Sequence, residues 1–106
     1  MTTLKDRGEG FENKFAHDAE TEFRINARRN RLLGLWAAEK LKLEGDAAEA
    51  YAREVVQADF EEVGDADVVR KVMGDFATAG VLIGEPELRE VMAVKREEAR
   101  AQILAG

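Results

Sequence analysis

The chain has 106 residues, a net charge of −6 and no cysteine, and 36% of its residues are charged. This length fits one domain, and the lack of cysteine excludes disulfides and thiolate chemistry. Without an apolar run near the ~20 residues of a membrane span, and with an acidic N-terminus unlike a targeting peptide, the sequence predicts a cytoplasmic protein whose charge disfavours nucleic-acid binding.

The N-terminal segment, residues 1–18, differs from the rest because two glycines, Gly8 and Gly10, lie among alternating charges. Leu4, Phe11 and Phe15 would share one side of a helix, but a short helix with two glycines is marginal in water. We expect this segment to be mobile when free and helical on a partner. The alternative is a frayed extension of the first helix, with both phenylalanines against the core.

A long apolar pattern then predicts a first helix from about residue 18 to residue 44. Two apolar stripes run side by side in it, which indicates burial over a wide arc. They consist of Leu32, Trp36 and Leu43, and of Leu33, Ala37 and Leu41. Gly34 would let a neighbouring helix approach closely, and Gly45 is expected to end the helix.

Two short helices follow in the predicted order. Helix 2 begins after a cap at Asp46 and continues to Gly64. Its stripe comprises Ala48, Tyr51, Ala52, Val55, Val56, Phe60 and Val63. Asp59 falls on the same stripe, so we expect it at the edge of the stripe or paired with an arginine. Helix 3 begins after Asp65 and ends at Gly80.

An extended apolar connector over residues 81–83 leads to helix 4, which has Pro86 in its first turn. The fold class is therefore all-α: one long N-terminal helix, two short helices and a C-terminal helix, preceded by a mobile N-terminal segment. Residues 1–18 form that segment, and residues 19–106 form the four-helix domain. The short connections place helices 1 and 2, and helices 2 and 3, next to one another.

Residues suited to catalysis or metal binding are sparse. His17 is the single histidine, and the chain has no serine. A metal site or nucleophilic enzyme would need partners that the sequence lacks, so we expect no enzyme activity and no metal. Arg24, Arg28 and Arg31 share one helical side. They could form surface ion pairs, or they could bind carboxylates or phosphates through their planar guanidinium groups.

Four stretches carry a family resemblance: residues 11–18 (FENKFAHD), 27–38 (ARRNRLLGLWAA), 58–62 (ADFEE) and 67–71 (DVVRK). In sequence and order they resemble the zeta subunit of the alphaproteobacterial F-type ATP synthase. The resemblance implies an inhibitor of ATP hydrolysis that is peripheral to the inner membrane through the synthase. It also implies a mobile N-terminal segment that becomes helical in a catalytic alpha/beta interface and wedges against the central gamma subunit, while the helical body stays outside.

Carried onto this chain, the resemblance makes residues 1–18 the inhibitory segment. Its expected partner contacts are Leu4, Lys5, Asp6, Arg7, Phe11, Glu12, Lys14, Phe15 and His17. The resemblance also implies weak ATP or ADP binding, for which the candidate residues are Arg24, Arg28 and Arg31. The alternative function is thus a small nucleotide-binding module, and a helical adaptor is a third. No cofactor is expected, and we expect a monomer when the protein is free.

Overall fold

The computed structural model contains four helices: α1 (Thr2–Lys40), α2 (Gly45–Ala58), α3 (Ala66–Ala79) and α4 (Glu85–Ala105). The structure describes the backbone of residues 2–60 and 64–105, and the side chains of residues 19–60 and 64–105. Every regular element within these ranges is a helix, which confirms the all-α, four-helix prediction. No helix in the described chain is both long and apolar enough to cross a membrane.

Helix α1 differs from the predicted first helix at both ends. It begins at Thr2, so it includes the segment that we expect to be mobile when free. That mobility stays a prediction. It ends at Lys40 rather than at residue 44, and Gly45, which was expected to end it, is instead the first residue of α2. The Asp46 side chain consequently lies in the first turn of α2 and is not its cap.

The early end of α1 has a clear backbone cause. Lys42 adopts a positive φ of 64°, the left-handed conformation that more often belongs to glycine. The N–H of Lys42 donates to the Glu39 carbonyl at 3.0 Å, and the N–H of Leu43 donates to the Ala38 carbonyl at 2.8 Å. This pair of bonds is the Schellman motif, here formed without a glycine.

Helix α2 is shorter than its apolar stripe predicts. It ends at Ala58, and the chain turns at Asp59 and Phe60. The prediction that Phe60 faces the core is therefore wrong, because the turn leaves its side chain 65% exposed. Val63, the last residue of the predicted stripe, lies outside the described residues.

The boundaries of α3 and α4 agree with the sequence. Asp65 directly precedes α3, and Gly80 follows its last residue in the left-handed conformation. The N–H of Val81 donates to the Phe76 carbonyl at 2.8 Å, which closes the end of α3. Residues 81–84 are not helical, as expected, and Pro86 lies in the first turn of α4.

The core lies where α1 meets the other three helices. Its members are predominantly apolar side chains on successive helical turns: Leu33, Ala37, Ala38, Tyr51, Val55, Val68, Val69, Val72, Phe76, Leu88 and Met92. Trp36 is partly buried and packs edge-on against Phe76 of the core, with ring centroids 5.9 Å apart. The bulk of the contact of α4 is with α1 rather than with α3. The predicted wide buried arc of α1 thus serves two neighbours, α2 and α4.

Candidate functional site: the N-terminal segment and an arginine groove

The candidate partner contacts lie in the first half of α1. They are Leu4, Lys5, Asp6, Arg7, Phe11, Glu12, Lys14, Phe15 and His17, and their side chains lie outside the described residues. The backbone places all nine on one continuous helix with the arginine cluster. Their contacts with a partner stay a prediction.

The three candidate arginines come together on the surface. Arg24, Arg28 and Arg31 line one open groove of about 450 Å³, which confirms that they share a side of α1. The groove also has an apolar floor, formed by Phe23, Ala27, Val56 and Ile103. Residues from α1, α2 and α4 therefore build a basic groove with an apolar floor.

Each groove arginine has a side-chain partner. Arg24 pairs with Glu20 at 3.0 Å, and Arg31 pairs with Glu49 at 3.1 Å. Arg28 donates from Nη1 to the neutral Oε1 of Gln102 at 2.8 Å. All three contacts involve exposed side chains, so each stabilises the fold only weakly. A bound anion could replace these partners at little cost.

Arg29, the fourth arginine of the cluster, has a structural role instead. Its side chain is 4% exposed. It donates from Nε to Asn30 Oδ1 at 2.7 Å and from Nη2 to Asp65 Oδ1 at 2.9 Å. Asp65 thus binds α1 instead of capping α3 with its side chain. The two residues are 36 positions apart, and no local sequence signal indicates this pair.

Two exposed aromatic rings stack beside the groove. The rings of Phe23 and Phe60 have centroids 6.1 Å apart and an interplanar angle of 23°. Asp59 lies next to them. Burial raises its pKa and outweighs Asn30 and Arg29, which lower it, while the charges of Asp67 and Asp65 raise it to a smaller extent. Asp59 is only partly buried, so it lies at the edge of the predicted stripe.

A second polar cluster links α2 to α3. The Tyr51 hydroxyl donates to Asp75 Oδ2 at 2.8 Å, and Lys71 Nζ lies 3.0 Å from both Asp75 and Glu54. Burial, followed by the bond to Asp75, raises the pKa of Tyr51. Burial alone would lower the pKa of Lys71, but its bonds to Asp75 and Glu54 outweigh that effect and raise it. The cluster is tightly satisfied, so we assign it to stability.

Metal-binding chemistry has no candidate in the described part of the chain. Within residues 19–60 and 64–105, no group of three or more histidine, cysteine, aspartate or glutamate side chains could hold a metal ion. His17 lies outside the described side chains. The arginine groove and the N-terminal segment are thus the two candidate functional regions.

Comparison with known proteins identifies the family of the chain. The family model of the ATPase inhibitor subunit zeta matches residues 1–102. A protein solved by NMR in solution is 48% identical and superposes with a TM-score of 0.71, over 79% of this chain and 95% of that one. No curated protein matches the chain. Since the family model spans both the N-terminal segment and the helical body, the chain belongs to the ATPase inhibitor subunit zeta family.

Proposed function

We propose that this protein inhibits ATP hydrolysis by the F-type ATP synthase through its N-terminal segment, residues 1–18. The observation that carries the proposal is the family match over residues 1–102, which includes this segment. In the proposed mechanism the segment enters a catalytic interface between an alpha and a beta subunit and blocks rotation of the gamma subunit. The protein acts as a regulator rather than an enzyme, in the cytoplasm, and reaches the membrane only through the synthase.

The packing of the body supports this division of labour. Among the described side chains, the first fully buried one is Ile25, and the core continues through Leu33 and Ala37 to Leu88 and Met92. Ala19 and Glu20 are exposed. The described core therefore begins after the end of the N-terminal segment. A segment that gains its contacts only on the partner pays its ordering cost at that moment.

The apolar side chains of the segment supply the sharpest test. Phe11→Ala and Phe15→Ala should each weaken inhibition of the catalytic head by about tenfold or more, since aromatic anchors dominate protein interfaces. Phe23→Ala is the matched control, because Phe23 is an exposed phenylalanine on the same helix but belongs to the body. Inhibition curves for ATP hydrolysis measure the effect. Equal potency of all three variants would overturn the proposal.

A second function, weak binding of ATP or ADP, is favoured by the groove. Its three arginines can contact phosphates, and its apolar floor can contact the base or ribose. Arg28 is the best placed of them, because its partner Gln102 is neutral. Glu20 and Glu49 partly offset the charges of the other two arginines.

Titration with ATP, followed by NMR of the arginine side chains, tests this second function. We expect shifts at Arg28 and a loss of binding in Arg28→Ala. Arg53→Ala, which removes an exposed arginine of α2 that does not line the groove, should bind ATP as the unmodified protein does. Unchanged spectra near α1 would reject nucleotide binding and leave the inhibitory function untouched.

A further inference from the structure

Helix α4 runs antiparallel to α1 and reaches the turns of α1 that follow the N-terminal segment. Near the start of α4, Val91 lines one groove together with Trp36. Near its end, Ile103 lines another together with Phe23. Residue numbers therefore fall along α1 as they rise along α4. The C-terminal turns of α4 thus lie against the part of α1 from which the segment extends.

Arg96 of α4 binds two successive turns of α1 at this end. Its Nη1 donates to Asn26 Oδ1 at 2.7 Å, and its Nη2 donates to Glu22 Oε1. Glu22 and Asn26 are four positions apart, so in a helix they lie on the same side, one turn above the other. In an extended chain they would be about 13 Å apart, too far for two nitrogens of one guanidinium. Arg96 can therefore make both bonds only when residues 22–26 are helical.

The bonds of Arg96 are partly shielded from water. Its side chain is 34% exposed, whereas that of Arg24, in the nearby pair with Glu20, is 62% exposed. On α4, Arg96 lies between two buried residues of the same face, Met92 and Ala99. Charge-assisted bonds are stronger than neutral ones, and partial burial lessens their screening. Arg96 therefore holds this turn of α1 more firmly than an exposed ion pair would.

A turn that is already helical matters for any segment that must extend it. Starting a new helix carries a nucleation factor of about 10⁻³, because several residues are fixed before the first hydrogen bond forms. Extending an existing helix avoids that factor, since each added residue contributes its own bond. Residues 22–26 are one such turn, and Glu22 lies four positions after residue 18. The N-terminal segment can thus grow from a nucleus that the body maintains.

We propose that Arg96 is a positioning residue for inhibition. It holds residues 22–26 of α1 helical, so that the N-terminal segment extends this helix when it binds the synthase. Arg96 itself needs no contact with the synthase in this role. The role rests on the proposed function, but its structural half concerns the free protein and is testable without the enzyme.

Amide hydrogen exchange of the free, full-length protein tests the structural half. Arg96→Met keeps an unbranched apolar stem but removes both bonds, so the amides of residues 22–26 should exchange about tenfold faster. Exchange at Leu33 and Phe76 in the core should stay unchanged, which checks the fold. Arg89→Met is the matched control, because Arg89 pairs with Glu85 inside α4. Unchanged exchange of residues 22–26 in Arg96→Met would overturn the proposal.

A second variant removes the bond from the side of α1. Glu22→Ala deletes the carboxylate that binds Arg96 while introducing the best helix former. Intrinsic helix propensity alone would slow the exchange of residues 22–26, whereas loss of the bond to Arg96 should speed it. Slower exchange in Glu22→Ala would therefore contradict the proposal.

Inhibition of ATP hydrolysis tests the functional half. Arg96→Met should inhibit about tenfold more weakly than the unmodified chain, because the segment must then order an additional turn on binding. Arg89→Met should inhibit normally. Faster exchange of residues 22–26 in Arg96→Met with unchanged potency would overturn the role of Arg96 and leave inhibition by residues 1–18 intact. An unmodified chain that does not inhibit would instead reject the proposed function, and the role of Arg96 with it.

Discussion

Gly34 of α1 lies so close to Ala52 of α2 that a Cβ on Gly34 would stand 2.6 Å from the Ala52 Cα. The same Cβ would be 3.3 Å from the Cβ of Val55, one turn further along α2. Real side chains do not approach a backbone atom this closely, so the glycine sets the distance between the two helices. The contact holds α2 closely against α1, the helix that carries both candidate functional regions.

Replacement of Gly34 by alanine should therefore destabilise the protein by about 2 kcal/mol, since overpacking outweighs the gain in helix propensity. Gly74→Ala is the matched control: Gly74 lies inside α3, where an added Cβ meets nothing within 4 Å. That variant should be stabilised by about 1 kcal/mol. Urea denaturation measures both, and equal stability changes would show that α1 and α2 can separate at no cost.

The end of α3 is also a Schellman motif, because the N–H of Gly80 donates to the Ala77 carbonyl and the N–H of Val81 to the Phe76 carbonyl. The two motifs predict opposite effects of adding and of removing a glycine. Lys42→Gly should stabilise the protein by about 0.5 kcal/mol, because the left-handed conformation is strained for lysine. Gly80→Ala should destabilise it by about 1 kcal/mol, because Gly80 has φ of 77°. Thermal unfolding tests the pair, and a loss of stability in Lys42→Gly would mean that the lysine side chain makes a contact worth more than the strain.

Asp59 predicts a pH dependence of a definite sign. Its folded-state pKa is raised above the ordinary 3.8, so the folded state binds its proton more readily than the unfolded chain. The contribution of this residue to stability therefore falls as the pH rises from 3.8 through the folded pKa. Asp59→Asn should raise the denaturation midpoint at pH 7, and the advantage should vanish below pH 3.8.

Glu97→Gln is the control for this effect, because Glu97 is an exposed carboxylate of α4. It should show no comparable gain at neutral pH. Denaturation curves at several pH values give the comparison. A lower midpoint of Asp59→Asn at pH 7 would indicate that the charged carboxylate is held by a favourable partner.

The glycines of the N-terminal segment set the strength of inhibition in this account. Gly8→Ala together with Gly10→Ala should strengthen inhibition of ATP hydrolysis by about thirtyfold, because each alanine lowers the cost of helix formation by about 1 kcal/mol. Gly74→Ala in the body should leave inhibition unchanged. Weaker inhibition by the double variant would instead show that a partner approaches these positions too closely for a side chain.

The number of helices and several of their ends could be predicted from the sequence because their signals are local. Gly80 and Pro86 mark boundaries through their own backbone preferences. The end of α1 could not be predicted, because Lys42 adopts a left-handed backbone conformation that is uncommon for lysine. The burial of Phe60 was wrongly predicted, because the apolar spacing of the sequence continues beyond the turn that ends α2.

Only those features of the candidate site that depend on spacing within one helix could be predicted from the sequence. The side of α1 shared by Arg24, Arg28 and Arg31 follows from helical spacing alone. Their apolar floor does not, because α2 and α4 supply Val56 and Ile103 from distant parts of the chain. Long-range packing also separates buried Arg29 from its three exposed neighbours, which spacing cannot do.

The central claim is that the N-terminal segment, residues 1–18, inhibits while the remaining body folds without it. A fragment of residues 19–106, compared with the full chain, tests it in one measurement of ATP hydrolysis by the catalytic head, with cooperative thermal unfolding as the check on folding. We expect a folded fragment that leaves hydrolysis uninhibited at concentrations where the full chain stops it. A folded fragment that inhibits as strongly as the full chain would contradict the claim.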